Sequence, residues 1–110
     1  MAKIKVPPDV FVTLSGPDGK EKKVKYSFGD WLIDVVITSP ESSKGYEAAR
    51  RGEKIKIAAN TGYKAPGDEL TLDDSDLMYL KLATQSCTLV PVFNLAAITF
   101  YEAVNEASKS

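Results

Sequence analysis

The sequence predicts an α+β domain: an N-terminal β-hairpin followed by three or four short helices packed as a small bundle. Three observations carry that expectation. Apolar residues alternate on both sides of one strong turn signal near the N-terminus. After Ser27 the apolar spacing lengthens to that of helices. A length of 110 residues with 44% hydrophobic content bounds the chain at one domain, residues 1–110, with enough apolar side chains for a core. The ends near 1–5 and 107–110 read as frayed.

The hairpin is built from Val10-Phe-Val-Thr-Leu-Ser15 and Lys22-Lys-Val-Lys-Tyr-Ser27, which flank Gly16-Pro17-Asp18-Gly19. Pro17 presets the first central dihedral of a turn, Asp18 tolerates the second, and Gly19 supplies a left-handed exit. Val10, Val12 and Leu14 alternate onto one face, where Val24 and Tyr26 can meet them. Ser27 is placed to cap a helix by accepting from the amide of Asp30. Trp31, Leu32, Val35 and Val36 make that helix's inward stripe, while Ile33 and Ile37 lie off it. The β-branched run over 35–38 leaves a strand reading open, and Ser39-Pro40 ends the element either way.

A second helix is expected to run to about Asn60, with Ala48, Gly52, Ile55 and Ala59 at helical spacing. The Lys54-Ile-Lys-Ile57 alternation allows a short strand instead. Thr61 to Asp68 reads as a loop, and Leu70-Thr71-Leu72 as a short strand or extended lead-in. The next helix carries Leu77, Leu80 and Thr84 on one line. The last helix is expected to begin at Pro91, a residue suited to the first helical position. Val92, Leu95, Ala96, Thr99 and Ala103 form one stripe on it, and Phe93, Ala97, Phe100 and Val104 form a second. The expected core joins Trp31, Leu32, Val35, Leu77, Leu80, Leu95 and Phe100 to Val12, Leu14 and Val24.

Composition excludes several kinds of chemistry. The chain has no histidine, which removes the commonest general base and every Ser-His or Cys-His nucleophile pair. One cysteine, Cys87, permits no internal disulfide, and without histidine it cannot complete the usual zinc ligand sets. Cys87 reads as a small buried residue, and synthesis and folding inside a cell fit best. The opening Met-Ala-Lys-Ile-Lys with Pro7 and Pro8 lacks the pattern of a signal peptide. The apolar stretch from Cys87 to Tyr101 is broken by Thr88, Pro91 and Asn94 and is too short to span a bilayer, so no membrane is expected.

The densest run of ionisable residues is Asp73-Asp74-Ser75-Asp76. A calcium loop needs glycine sixth and a bidentate glutamate twelfth. Counted from Asp74 those places hold Tyr79 and Gln85; counted from Asp73 they hold Met78 and Thr84. Both registers fail, and the run reads as a helix start, with Asp73 or Asp74 accepting from a free amide. No metal, cofactor or catalytic residue is assigned.

Two surfaces remain. Lys20, Lys22, Lys23 and Lys25 on the hairpin, with Arg50 and Arg51 on the second helix, make a candidate phosphate or nucleic-acid patch. Lysines on an exposed strand also block edge pairing, Glu21 dilutes the patch, and the net charge is −1, so nucleic acid is not the expected partner. Ile33, Ile37, Phe93, Phe100 and Tyr101 exceed what one small core needs and make a candidate interface between copies of the chain.

From Tyr26 to Val104 the chain runs Tyr-Ser-Phe-Gly-Asp-Trp-Leu, an Ala-Ala-Arg-Arg helix, Asp-Glu-Leu-Thr-Leu-Asp-Asp-Ser-Asp-Leu and a closing apolar helix. This order resembles small, mostly uncharacterised proteins of tailed bacteriophages. There, an acidic-capped Leu-x-Leu-Asp/Glu-Asp-x-Asp element precedes the final helix. The resemblance supplies no catalytic residue. It implies a host cytoplasm, or the virion if the protein is structural. The function expected is a non-catalytic phage interaction module, structural or assembly-related, that forms homo-oligomers or binds other phage or host proteins. The alternative is a phage regulator or inhibitor that binds a host protein or a small nucleotide.

Overall fold

The computed structural model describes residues 2–88 and 94–107. In chain order these form β1 (Ala2–Lys5), β2 (Val10–Ser15), β3 (Glu21–Tyr26), α1 (Phe28–Thr38), a 3-10 turn (Pro40–Ser43), α2 (Tyr46–Thr61), β4 (Glu69–Leu72), α3 (Asp74–Ser86) and α4 (Asn94–Glu106). The fold is α+β, as the sequence predicts. The runs at 35–38 and 54–57, open between helix and strand, are both helical.

The hairpin forms as expected, with Val12 opposite Val24 and Leu14 opposite Lys22. Its turn closes through Gly19, whose φ of 78° is the left-handed value that favours glycine. The Asp18 carboxylate accepts from the amide of Lys20 at 3.1 Å. Ser27 caps α1: its hydroxyl accepts from the Asp30 amide at 3.1 Å. A second free amide of that helix, on Gly29, donates to the Tyr63 hydroxyl at 2.8 Å. The absence of a side chain at Gly29 lets α1 approach α2, since an added Cβ would lie 2.7 Å from the Ala59 carbonyl oxygen.

Residues 2–5, expected to fray, are ordered in a strand. Ala2–Lys5 pairs antiparallel with β4, Ala2 opposite Leu72 and Ile4 opposite Leu70. All four of those side chains are buried, while Lys3 and Lys5 alternate outward. The ladder continues beyond β1 through Val6 and residues 67–68, with bonds of 2.9 Å from the Val6 amide to Asp68 and from the Gly67 amide to Val6. Burying an isoleucine or leucine is worth about 1.5–3 kcal/mol, so Ile4 and Leu70 hold this end against fraying. Ala107, also expected to fray, is buried.

The core gathers Phe28, Trp31, Leu32 and Val35 of α1, Ile55 of α2, Leu77 and Leu80 of α3, and Phe100 and Val104 of α4. Phe28, Trp31 and Phe100 form an aromatic cluster with ring centroids 5.7–5.8 Å apart, a separation at which the quadrupoles attract.

Four expected core residues lie elsewhere. On α4 the second stripe faces in: Ala97, Phe100 and Val104 are buried together with Ala96, whereas Leu95 is 74% exposed. Small residues at 96 and 97 let α4 approach its neighbours closely, which Leu95 would obstruct. Val12, Leu14 and Val24 fall outside both the core and the partly buried side chains packed on it.

The acidic run does begin α3, and the Leu77 amide donates to the Asp73 carbonyl at 2.9 Å. The expected side-chain cap from Asp73 is not made. Its carboxylate is taken instead by the Lys54 ammonium at 3.3 Å, which also reaches the buried Asp76 at 3.4 Å. Those two carboxylates, the Asp73 hydrogen bond foremost, hold the Lys54 ammonium above its usual range.

Candidate interaction surface

The β2–β3 hairpin is an arm. It forms a sheet of two strands only, and it meets the body at its base through Val10 and Tyr26. Tyr26 is fixed twice, by its ring 6.0 Å from that of Phe100 and by its hydroxyl, which donates to Asp34 at 2.5 Å. Burial first, and then that bond to a carboxylate, push the Tyr26 phenol well above its ordinary value of 10.0. Beyond the base, Val12, Leu14 and Val24 continue the face begun by Val10 and Tyr26, because residues two apart along a strand share a face. Among the described residues they do not pack on the core. The molecule measures 46 × 30 × 21 Å, long for its mass, as a projecting arm requires.

The lysines of the candidate patch divide by the same alternation. Lys22 falls on the apolar face beside Leu14, while Lys23 and Lys25 fall on the opposite face with Phe11, which is 66% exposed. Lys20 sits at the turn. Lys25 approaches Asp9 at 3.6 Å. Arg50 and Arg51 belong to α2, and Arg51 is bonded to Glu47 at 3.1 Å. The structure therefore does not gather these six cations into one patch. Tyr26 and Phe28, the aromatic residues nearest the lysines in sequence, are half-buried and buried.

The candidate interface residues also separate. Phe100 is fully buried and is core. Ile37 is 64% exposed, Ile33 and Tyr101 are half-buried against the core, and Phe93 lies outside the described residues. Helical geometry puts Asp30, Ile33, Asp34 and Ile37 on one outward face of α1, opposite Trp31, Leu32, Val35 and Val36. The Tyr26–Asp34 bond makes that face continuous with the base of the arm. Tyr101 instead lines a groove of about 700 Å³ with Trp31, Cys87 and Ile98.

A second concavity, about 410 Å³, lies between α2 and α3, where Met78 and Leu82 stand exposed beside Ala48 and Tyr79. Its rim carries both signs, Glu41 with Lys44 and Glu47 with Arg51.

Sequence reasoning missed the arm's uncovered face because alternation marks a face as apolar without saying what lies opposite. Lys22 among valines and leucine is the one local hint. No helix among the described residues is long and apolar enough to cross a membrane. Among those residues no group of three carboxylate or thiol side chains could hold a metal ion. Burial pushes the Cys87 thiol up, away from the thiolate that a nucleophile needs. Comparison with protein-family models, with curated proteins and with solved structures finds no match for this chain.

Proposed function

We propose that the chain is a non-catalytic protein–protein interaction module, structural or assembly-related, that associates with its own copies. The observation that carries this reading is the arm, whose apolar face leaves the body and finds no cover there among the described residues. A two-stranded hairpin alone is marginal in water and gains stability by packing against something else. The outward face of α1, with Ile33 and Ile37, extends the same surface. A phage setting rests on the resemblance over Tyr26 to Val104. Sedimentation equilibrium at micromolar concentration tests the self-association: an oligomer is expected, and a monomer throughout the range overturns it. Co-sedimentation with phage particles tests the assembly role.

The groove between α2 and α3 favours a second reading, a regulator that binds a host protein. Methionine adapts to varied partners, and Met78 with Leu82 offers an apolar strip within a charged rim. Expression early in infection, with a host protein captured by the wild type and lost by Leu82→Asp, is the outcome that would favour it.

A further inference from the structure

We propose that two copies pair arm to arm, antiparallel and face to face about a twofold axis, with Lys22 of each copy against the partner's Asp34. The proposal rests on the reading of the chain as self-associating and assigns the face, the register and the charge pairing.

The arm's apolar face has three levels along its length. Val10 and Tyr26 form the base, Val12 and Val24 the middle, and Leu14 and Lys22 the outer level below the turn. Charge is distributed unevenly along it. The base ends at Asp34, which holds the Tyr26 hydroxyl, with Asp30 on the same face of α1; both aspartates are exposed on that helix. The outer level carries Lys22, and the turn carries Lys20 beside Asp18, neither lysine in an ion pair among the described residues. One surface thus has aspartates at its base, apolar side chains in the middle and Lys22 at its outer level.

Such a surface is complementary to itself in one orientation. Parallel stacking sets lysine on lysine and aspartate on aspartate. Antiparallel stacking about the middle level packs Val12 and Val24 on their own copies and brings Leu14 and Lys22 to the partner's base, against the sides of Val10 and Tyr26 that the body leaves half-exposed. Lys22 then arrives at the partner's Asp34, and a twofold axis makes the contact twice, as isologous pairing requires. Pairs of short strands alone make a small contact. The outward face of α1 enlarges it, because Ile33 and Ile37 flank Asp34 where the partner's turn would lie. An unrelated partner has no reason to match this end-to-end alternation of charge, whereas a second copy matches it by construction.

The test uses charge exchange. Lys22→Glu and Asp34→Lys should each weaken homodimerisation by about tenfold or more, since each sets like charges together twice. Mixed in equal amounts, the two variants should form a heterodimer in preference to either homodimer, because both crossed contacts are then of opposite sign. Native mass spectrometry of the mixture reads this directly, and circular dichroism checks that each variant is folded. Leu14→Asp should abolish the dimer with the helical signal retained. A wild-type dimer indifferent to all of these substitutions, with a statistical mixture of the variants, overturns arm pairing and leaves self-association through another face. A wild type that is monomeric overturns both. A monomer that binds a poly-thymidine oligonucleotide through Phe11, Lys23 and Lys25 assigns the arm to a polyanion and likewise overturns the pairing.

Discussion

Trp31 shows how much one side chain decides in a core this small. Its ring stacks on Phe28 and meets Phe100, and it is 3% exposed. Trp31→Ala is therefore expected to destabilise the fold by about 3–5 kcal/mol, close to the whole stability of a marginal domain. Its indole N–H is buried without an acceptor among the described residues, a cost the native protein already carries. Trp31→Phe keeps most of the ring packing and removes that orphan donor, so it should lose much less than the alanine variant. Urea unfolding of the two variants checks the ordering, and the wild-type fluorescence should be blue-shifted. Tyr26 supplies a dependence on pH. The unfolded phenol ionises near 10.0, while the folded one, buried and bonded to Asp34, holds its proton to higher pH. Above about pH 10 the folded state thus binds more protons than the unfolded state, and stability falls as pH rises. A spectrophotometric titration should show a late phenolic step that Tyr26→Phe removes; no late step would mean that the base of the arm is open to water.

At the scale of elements, what is local was legible and what is distant was not. The Gly16 to Gly19 turn and the Ser27 cap act within a few residues, so sequence alone located the hairpin and the start of α1. The pairing of β1 with β4 joins Ile4 to Leu70 across most of the chain, and nothing in Ala-Lys-Ile-Lys names that partner. Its alternation of buried and exposed residues is plain only once the partner is known. Both stripes of α4 were apolar, and the fold buries Ala97, Phe100 and Val104 of one with only Ala96 of the other, a choice that packing partners elsewhere in the chain decide. The acidic run was recognised as a helix start, but Lys54, a distant residue on α2, takes the carboxylate of Asp73, one of the two aspartates offered as the cap. Among the candidate interface residues Phe100 failed in the same way, since it belongs to the aromatic core and only neighbours from α1 show it. Because β1 is a core strand, Ile4→Ala should cost about 2–5 kcal/mol. Lys3→Ala, on the outward side, should stay within about 0.5 kcal/mol. Equal and small losses for both, measured by urea unfolding, would return this end to the frayed state.

The molecule divides into a body with one core and an arm that, among the described residues, contributes to it only through Val10 and Tyr26. Every fully buried large side chain, from Ile4 and Phe28 to Phe100 and Val104, belongs to the body. The arm's distal side chains are half-buried at most and pack chiefly on one another across the ladder. Loss of the arm should consequently cost the body little. Val10 and Tyr26 face each other across the two strands, so an Asn-Gly turn can join them directly, since that dipeptide favours the tightest hairpin connection. A chain with residues 11–25 replaced by Asn-Gly keeps the Tyr26 contacts to Phe100 and Asp34 and omits Val12, Leu14, Lys22 and Val24. It is expected to unfold cooperatively within about 1 kcal/mol of the full chain, because a surface change that spares the core moves stability by little. It is also expected to be monomeric where the full chain associates. Thermal unfolding followed by circular dichroism reads the first quantity and sedimentation equilibrium the second. A trimmed chain that cannot fold would make the arm part of the core; one that folds and still associates would move the interface to another face of the body.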